Sequence, residues 1–100
     1  MEFKKVLIKY GGNAMTNESL KSQIAAKMKI LHDHGIQVIM VHGGGPFINK
    51  ALEEAGIVSE FFDGHRHTSA AALQSIEKTL KGEVNSSLVN LLNRQGLKAV

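Results

Sequence analysis

Two short apolar runs, KVLI at residues 5–8 and IQVIMV at residues 36–41, are rich in β-branched residues and barely interrupted by polar ones. That pattern predicts strands covered on both faces, as in a parallel sheet. Between them the period changes. Leu20, Ile24, Met28 and Leu31 recur at helical spacing with Ala25 on the same side, which predicts an amphipathic helix. Asn17 is placed to cap its start, Glu18 lies in its first turn, and Gly35 follows its end. Strand, helix and strand in this order make a right-handed βαβ crossover.

A second helix is predicted after the glycines at 43–45, with Pro46 in its first turn, an apolar face of Ile48, Ala51, Leu52 and Ala55, and Gly56 as its stop. Asp63-Gly64, set between Phe61-Phe62 and His65-Arg66-His67, predicts a hairpin turn. Two further helical patterns follow. One runs through Leu73, Ile76 and Leu80 and ends at Gly82, and the other runs through Val84, Leu88, Leu91 and Leu92 and ends at Gly96. GLKAV at residues 96–100 repeats the entry to the second strand, so a third strand is expected to begin there, and the chain is expected to be the N-terminal portion of a longer protein.

The glycines change the picture from architecture to chemistry. In an open parallel sheet ligands sit beyond the carboxyl ends of the strands, and glycine there lets backbone approach an anion closely. Gly11 and Gly12 follow the first strand, and Gly43, Gly44 and Gly45 follow the second, backed by the dipole of the helix from Pro46. The dinucleotide pattern G-x-G-x-x-G fails, because Ile48 stands where its third glycine belongs, and no G-x-x-x-x-G-K-[ST] occurs. Lys9 instead precedes the first glycine pair, where an ammonium can neutralise a phosphoryl group held by Gly11 and Gly12. Arg66 is a candidate clamp for a carboxylate. Each has a blander alternative: a tight turn for the glycine pair, and a solvated surface charge for Lys9 or Arg66. His42 is expected to shape the glycine loop through a hydrogen bond. The pairs His32/His34 and His65/His67 lack a third ligand at a telling spacing for zinc.

Composition narrows the classes. One hundred residues, 43% hydrophobic and 21% charged, suit one globular domain, and the absence of cysteine excludes a disulfide scaffold. No apolar run reaches the length of a signal-peptide core or a membrane span, so no membrane partner is expected. The net charge of +3 comes from scattered lysines without interleaved aromatics, which argues against nucleic acid as a partner.

IKYGGNAM, VHGGGP, DGHRHT and LKGEVNSSLVNLLNRQGLKAV stand in the order and approximate spacing of the amino-acid kinase family, which the chain resembles from about residue 5 to residue 100. Gly64, Arg66 and Thr68, followed by GEVN, resemble its acetylglutamate branch. The resemblance implies an α/β fold, a three-layer αβα sandwich with a mainly parallel sheet, of which residues 1–100 form the N-terminal, acetylglutamate-binding part of a single domain. It implies ATP, with Mg²⁺ carried by the nucleotide, phosphorylating the side-chain carboxylate of N-acetyl-L-glutamate, the second step of arginine biosynthesis. By the same resemblance Lys9 stabilises the transferring phosphoryl group, and Gly11 and Gly12 line its phosphate side. Gly44 and Gly45 bind the side-chain carboxyl and the transferring group, and Arg66 binds the α-carboxylate. A cytoplasmic homodimer insensitive to arginine is implied, with most of the ATP pocket beyond residue 100 and no turnover from these residues alone. Carbamate, glutamate and aspartate kinases remain as alternatives, as does a non-catalytic anion or amino-acid sensor.

Overall fold

The computed structural model describes residues 5–11, 13–58 and 60–100. Strand β1 (Lys5–Tyr10) pairs in parallel with β2 (Gln37–His42), Lys5 opposite Gln37 through Tyr10 opposite His42. Helix α1 (Glu18–Asp33) crosses between them. Its start is capped as expected, the Leu20 N–H donating to Asn17 Oδ1 at 3.0 Å. Its end is followed by Gly35 with φ 78°, the left-handed turn that glycine tolerates best.

The strands are covered on one face only, against the expectation of burial on both. Tyr10 is buried, and with half-buried Met40 it packs against Leu88 and Ile24. On the opposite face Leu7, Ile39 and Val41 are 68%, 54% and 50% exposed. Residues i and i+2 of a strand share a face and paired neighbours point the same way, so Lys9, opposite Val41, emerges on this open face. The continuous apolar runs arise because the open face is also apolar, which alternation of polarity would have revealed had it been polar.

Helix α2 (Gly45–Glu54) follows β2 with Pro46 in its first turn. Its buried Ile48 and Leu52 form a second core with Ala72, flanked by Ile57, Ile76 and Leu80. Strands β3 (Glu60–Phe62) and β4 (His65–His67) make the expected antiparallel hairpin. Asp63 and Gly64 both have positive φ, 50° and 80°, as a two-residue turn matched to the strand twist requires.

The expected break at Gly82 does not occur. Helix α3 (Ala70–Glu77) runs into a π-helical segment (Lys78–Asn85) and on into α4 (Ser86–Arg94) without interruption. Positions 72, 76, 80, 84 and 88 are apolar at four-residue intervals, a spacing that drifts around an α-helix of 3.6 residues per turn. The wider π turns offset that drift and keep Ala72, Val84 and Leu88 all buried, whereas Leu73, read as part of the apolar face, is exposed. The packing of Val84 and Thr79 offsets the cost of a glycine inside the helix, about 1 kcal/mol. The strand expected from Leu97 is also absent: Asn93 Oδ1 accepts from the Ala99 N–H at 2.7 Å, and Asn93 Nδ2 donates to the Ala99 carbonyl at 3.4 Å. Among the described residues no helix is long and apolar enough to cross a membrane.

Candidate active site at the glycine turns

The two glycine turns leave the sheet side by side. The Gly43 N–H donates to the Tyr10 carbonyl at 2.9 Å, continuing the pairing one step past the strands before the chains diverge. The Gly43 amide is therefore engaged within the sheet and is not one of the anion donors expected of it. Beyond it, the first bond of α2 is from the Ile48 N–H to the Gly44 carbonyl at 2.8 Å. The amides of Gly44, Gly45 and Phe47 thus precede the helix's own ladder at its positive end, while Pro46 has none to offer. Lys9 and Gly11 stand at the neighbouring strand end, on a spacing of about 4.8 Å between strands. The turn at residues 13–16 touches α2. Gly12 lies outside the described residues.

Gly44 and Gly45 are glycines for different reasons. Gly44 is buried, with φ 175°, an extended value that any residue adopts. A Cβ built on it would lie 2.6 Å from Leu80 Cδ2 and 3.6 Å from Val84 Cγ2. Gly44 is therefore the point at which the loop and the π segment pack backbone to side chain. A Cβ on Gly45 or on Gly11 meets nothing within 4 Å. Those two turns have open space before them, the room an anion needs.

His42 acts as its position suggested. Nδ1 donates to the Gly43 carbonyl at 2.9 Å, and Nε2 lies 3.3 Å from the side-chain amide of Asn85 on the π segment. The ring ties the glycine loop to that helix. Tyr10, buried beneath the first turn, donates its hydroxyl to the Ala14 carbonyl at 3.3 Å. Burial, and next the charge of Glu18, raise its pKa above the ordinary tyrosine value.

Arg66 is half-buried on β4. Its Nη2 donates to Asn49 Oδ1 at 2.7 Å, and its guanidinium lies 4.7 Å above the centre of the Phe61 ring. Asn49 sits on α2 one turn beyond Gly45, about 6 Å along the helix axis. The sequence marks Phe61 only as a flank of the hairpin turn and Asn85 only as the end of GEVN, and leaves Asn49 unmarked; the partners of Asn49 and Asn85 are 17 and 43 positions away. The apolar cleft of about 380 Å³ between β2, α4 and residues 97–100 is lined by Met28, Met40, Leu88 and Leu92 and contains none of Lys9, Gly11, Gly44, Gly45 or Arg66. Its lining also includes His32, His42, Asn85 and Lys98. Among the described residues no three His, Asp or Glu side chains converge to hold a metal ion.

The chain is 48% identical over 97 residues to the acetylglutamate kinases of Geobacter metallireducens and Geobacter sulfurreducens, matching 97% of itself and 33% of each relative. It thus spans about a third of the length of these curated relatives. The crystal structure of smu.665 from Streptococcus mutans UA159 superposes with a TM-score of 0.84 at 31% identity, over 94% of this chain and 38% of that one. The model of the amino acid kinase family matches residues 4–100, and the chain belongs to that family.

Proposed function

We propose that this chain is the N-terminal, acceptor-binding part of an acetylglutamate kinase, which transfers the γ-phosphoryl group of ATP to the side-chain carboxylate of N-acetyl-L-glutamate. The observation that carries the reading is the pair of glycine turns at adjacent strand ends, with open space at Gly11 and Gly45 and a lysine beside one of them. The relatives' names agree with it. In the step itself a carboxylate oxygen of the acceptor attacks the γ-phosphorus, the bond to the β–γ bridging oxygen breaks, and ADP leaves. Such a transfer needs positioning and neutralisation of spreading negative charge more than covalent help from the protein.

The roles divide accordingly. The Gly44 and Gly45 amides orient the acceptor carboxylate, Lys9 meets the charge on the transferring group, and Gly11 and Gly12 line its phosphate side. Arg66 grips the α-carboxylate. Mg²⁺ rides on the nucleotide's phosphates, and the whole protein is read as a cytoplasmic homodimer.

The direct test is trapping of the acyl phosphate with hydroxylamine, using the whole protein, MgATP and N-acetyl-L-glutamate beside glutamate, aspartate and carbamate. Hydroxamate from acetylglutamate alone is expected. None from any acceptor would leave the turns as anion holders that transfer nothing, the behaviour of a sensor. Arg66→Ala is expected to raise the KM for N-acetyl-L-glutamate by about tenfold or more, the worth of a charge-assisted hydrogen-bonding pair, with the KM for MgATP little changed. An unchanged acceptor KM would remove the clamp.

A further inference from the structure

We propose that Asn49 and Phe61 are positioning residues for Arg66, holding its guanidinium at a set distance from the Gly44–Gly45 turn so that the acceptor's two carboxylates are gripped together. The inference rests on the reading of Arg66 as the acceptor clamp.

Arg66 comes from a short hairpin whose own side chains are largely exposed. Left to itself, an arginine there has many rotamers, and ordering it would be charged against substrate binding. Its contacts with Phe61 and Asn49 limit it. Phe61, directly opposite on β3, covers one face of the guanidinium at 4.7 Å, a stacking geometry favourable for a cation. Asn49 Oδ1 takes one Nη2 proton at 2.7 Å, which fixes the orientation of the planar fork.

The choice of residue at position 49 matters. An amide oxygen orients the guanidinium without cancelling its charge, whereas a carboxylate there would satisfy the same proton and compete with the substrate. The anchor is also rigid, because Asn49 follows buried Ile48 and precedes buried Leu52 on α2. The same helix presents Gly44 and Gly45 at its start. One element therefore carries the cradle for one carboxylate and, through Asn49, fixes the clamp for the other, and α2 serves as a ruler for the length of the dicarboxylate.

The test is a double-mutant cycle in the whole protein, reading kcat and both Michaelis constants for the native protein, Asn49→Ala, Arg66→Ala and the double variant, with Asn49→Asp alongside. Asn49→Ala is expected to raise the acceptor KM by about 3- to 30-fold, with kcat and the KM for MgATP within about twofold. In the Arg66→Ala background the same substitution should have almost no further effect, since its target is gone. Asn49→Asp, which keeps an acceptor oxygen but adds a negative charge, should weaken acceptor binding at least as much as alanine does. The proposal is overturned if Asn49→Ala leaves the acceptor KM unchanged, shifts both Michaelis constants alike, or adds in full to Arg66→Ala. An Arg66→Ala variant with unaltered acceptor KM would instead remove the clamp reading and this inference with it, and the cycle distinguishes that failure from the others.

Discussion

Replacing Lys9 by alanine in the whole protein should lower kcat by about 10²- to 10³-fold while moving the acceptor KM by no more than about threefold. The split follows from where the side chain stands. Lys9 emerges at the carboxyl end of β1 on the open face of the sheet, next to Val41 and two residues before Gly11. The acceptor's own contacts are assigned elsewhere, to the start of α2 and to Arg66. On the proposed reading a cation there meets the negative charge as it redistributes during phosphoryl transfer, an interaction strongest in the transition state, so its loss falls on turnover. Lys9→Arg should recover only part of the rate, because a broad planar fork cannot place its charge where a compact ammonium does. Steady-state kinetics at saturating MgATP separate the outcomes. A large rise in acceptor KM with kcat preserved would move Lys9 from the transferring group to the acceptor, and no change in either would return it to the solvated surface.

Much of this arrangement was legible in the sequence wherever a local rule and the tertiary structure agree. Asp63-Gly64 demanded a turn with positive φ at both residues and has one; Asn17 and Gly35 delimit α1 as their chemistry requires. What was not legible depends on contacts that the residue type at a position does not mark. Gly82 reads as a stop because glycine weakens helices locally, yet the burial of Thr79 and Val84 carries the helix through it. Residues 97–100 read as a strand from their apolar pattern, but the Asn93 side chain takes both polar groups of Ala99. The runs at β1 and β2 contain no mark of which face is packed. Asn49 was unread because its meaning comes from Arg66, 17 positions away. The three glycines at 43–45 look equivalent in the sequence, and the structure separates them: one amide engaged in the sheet, one backbone pressed on the π segment, one facing open space.

That separation yields opposite expectations for two neighbouring substitutions. Gly44→Ala should lower stability by about 1–3 kcal/mol, since its Cβ would fall 2.6 Å from Leu80 Cδ2 and force that side chain out of its place beside Ile48 and Leu52. In a whole protein about three times this length that is a fall in Tm of about 2–5 °C. Gly45→Ala should leave Tm unchanged or slightly raised: its φ is not left-handed, its Cβ meets no neighbour within 4 Å, and alanine is the better helix former in a first turn. Its cost belongs to function, because the methyl group enters the space through which the amides would reach an anion. A loss of about 10²-fold in kcat/KM is expected, comparable to removing a backbone donor from an oxyanion site. Thermal melts and steady-state kinetics of both variants, in the whole protein, decide the matter. If Gly45→Ala keeps full activity, the open space at α2 is ordinary solvent and the acceptor's carboxylate sits elsewhere. If Gly44→Ala melts with the parent, Leu80 yields without cost and the glycine at 44 has to be explained by the ligand instead of by packing.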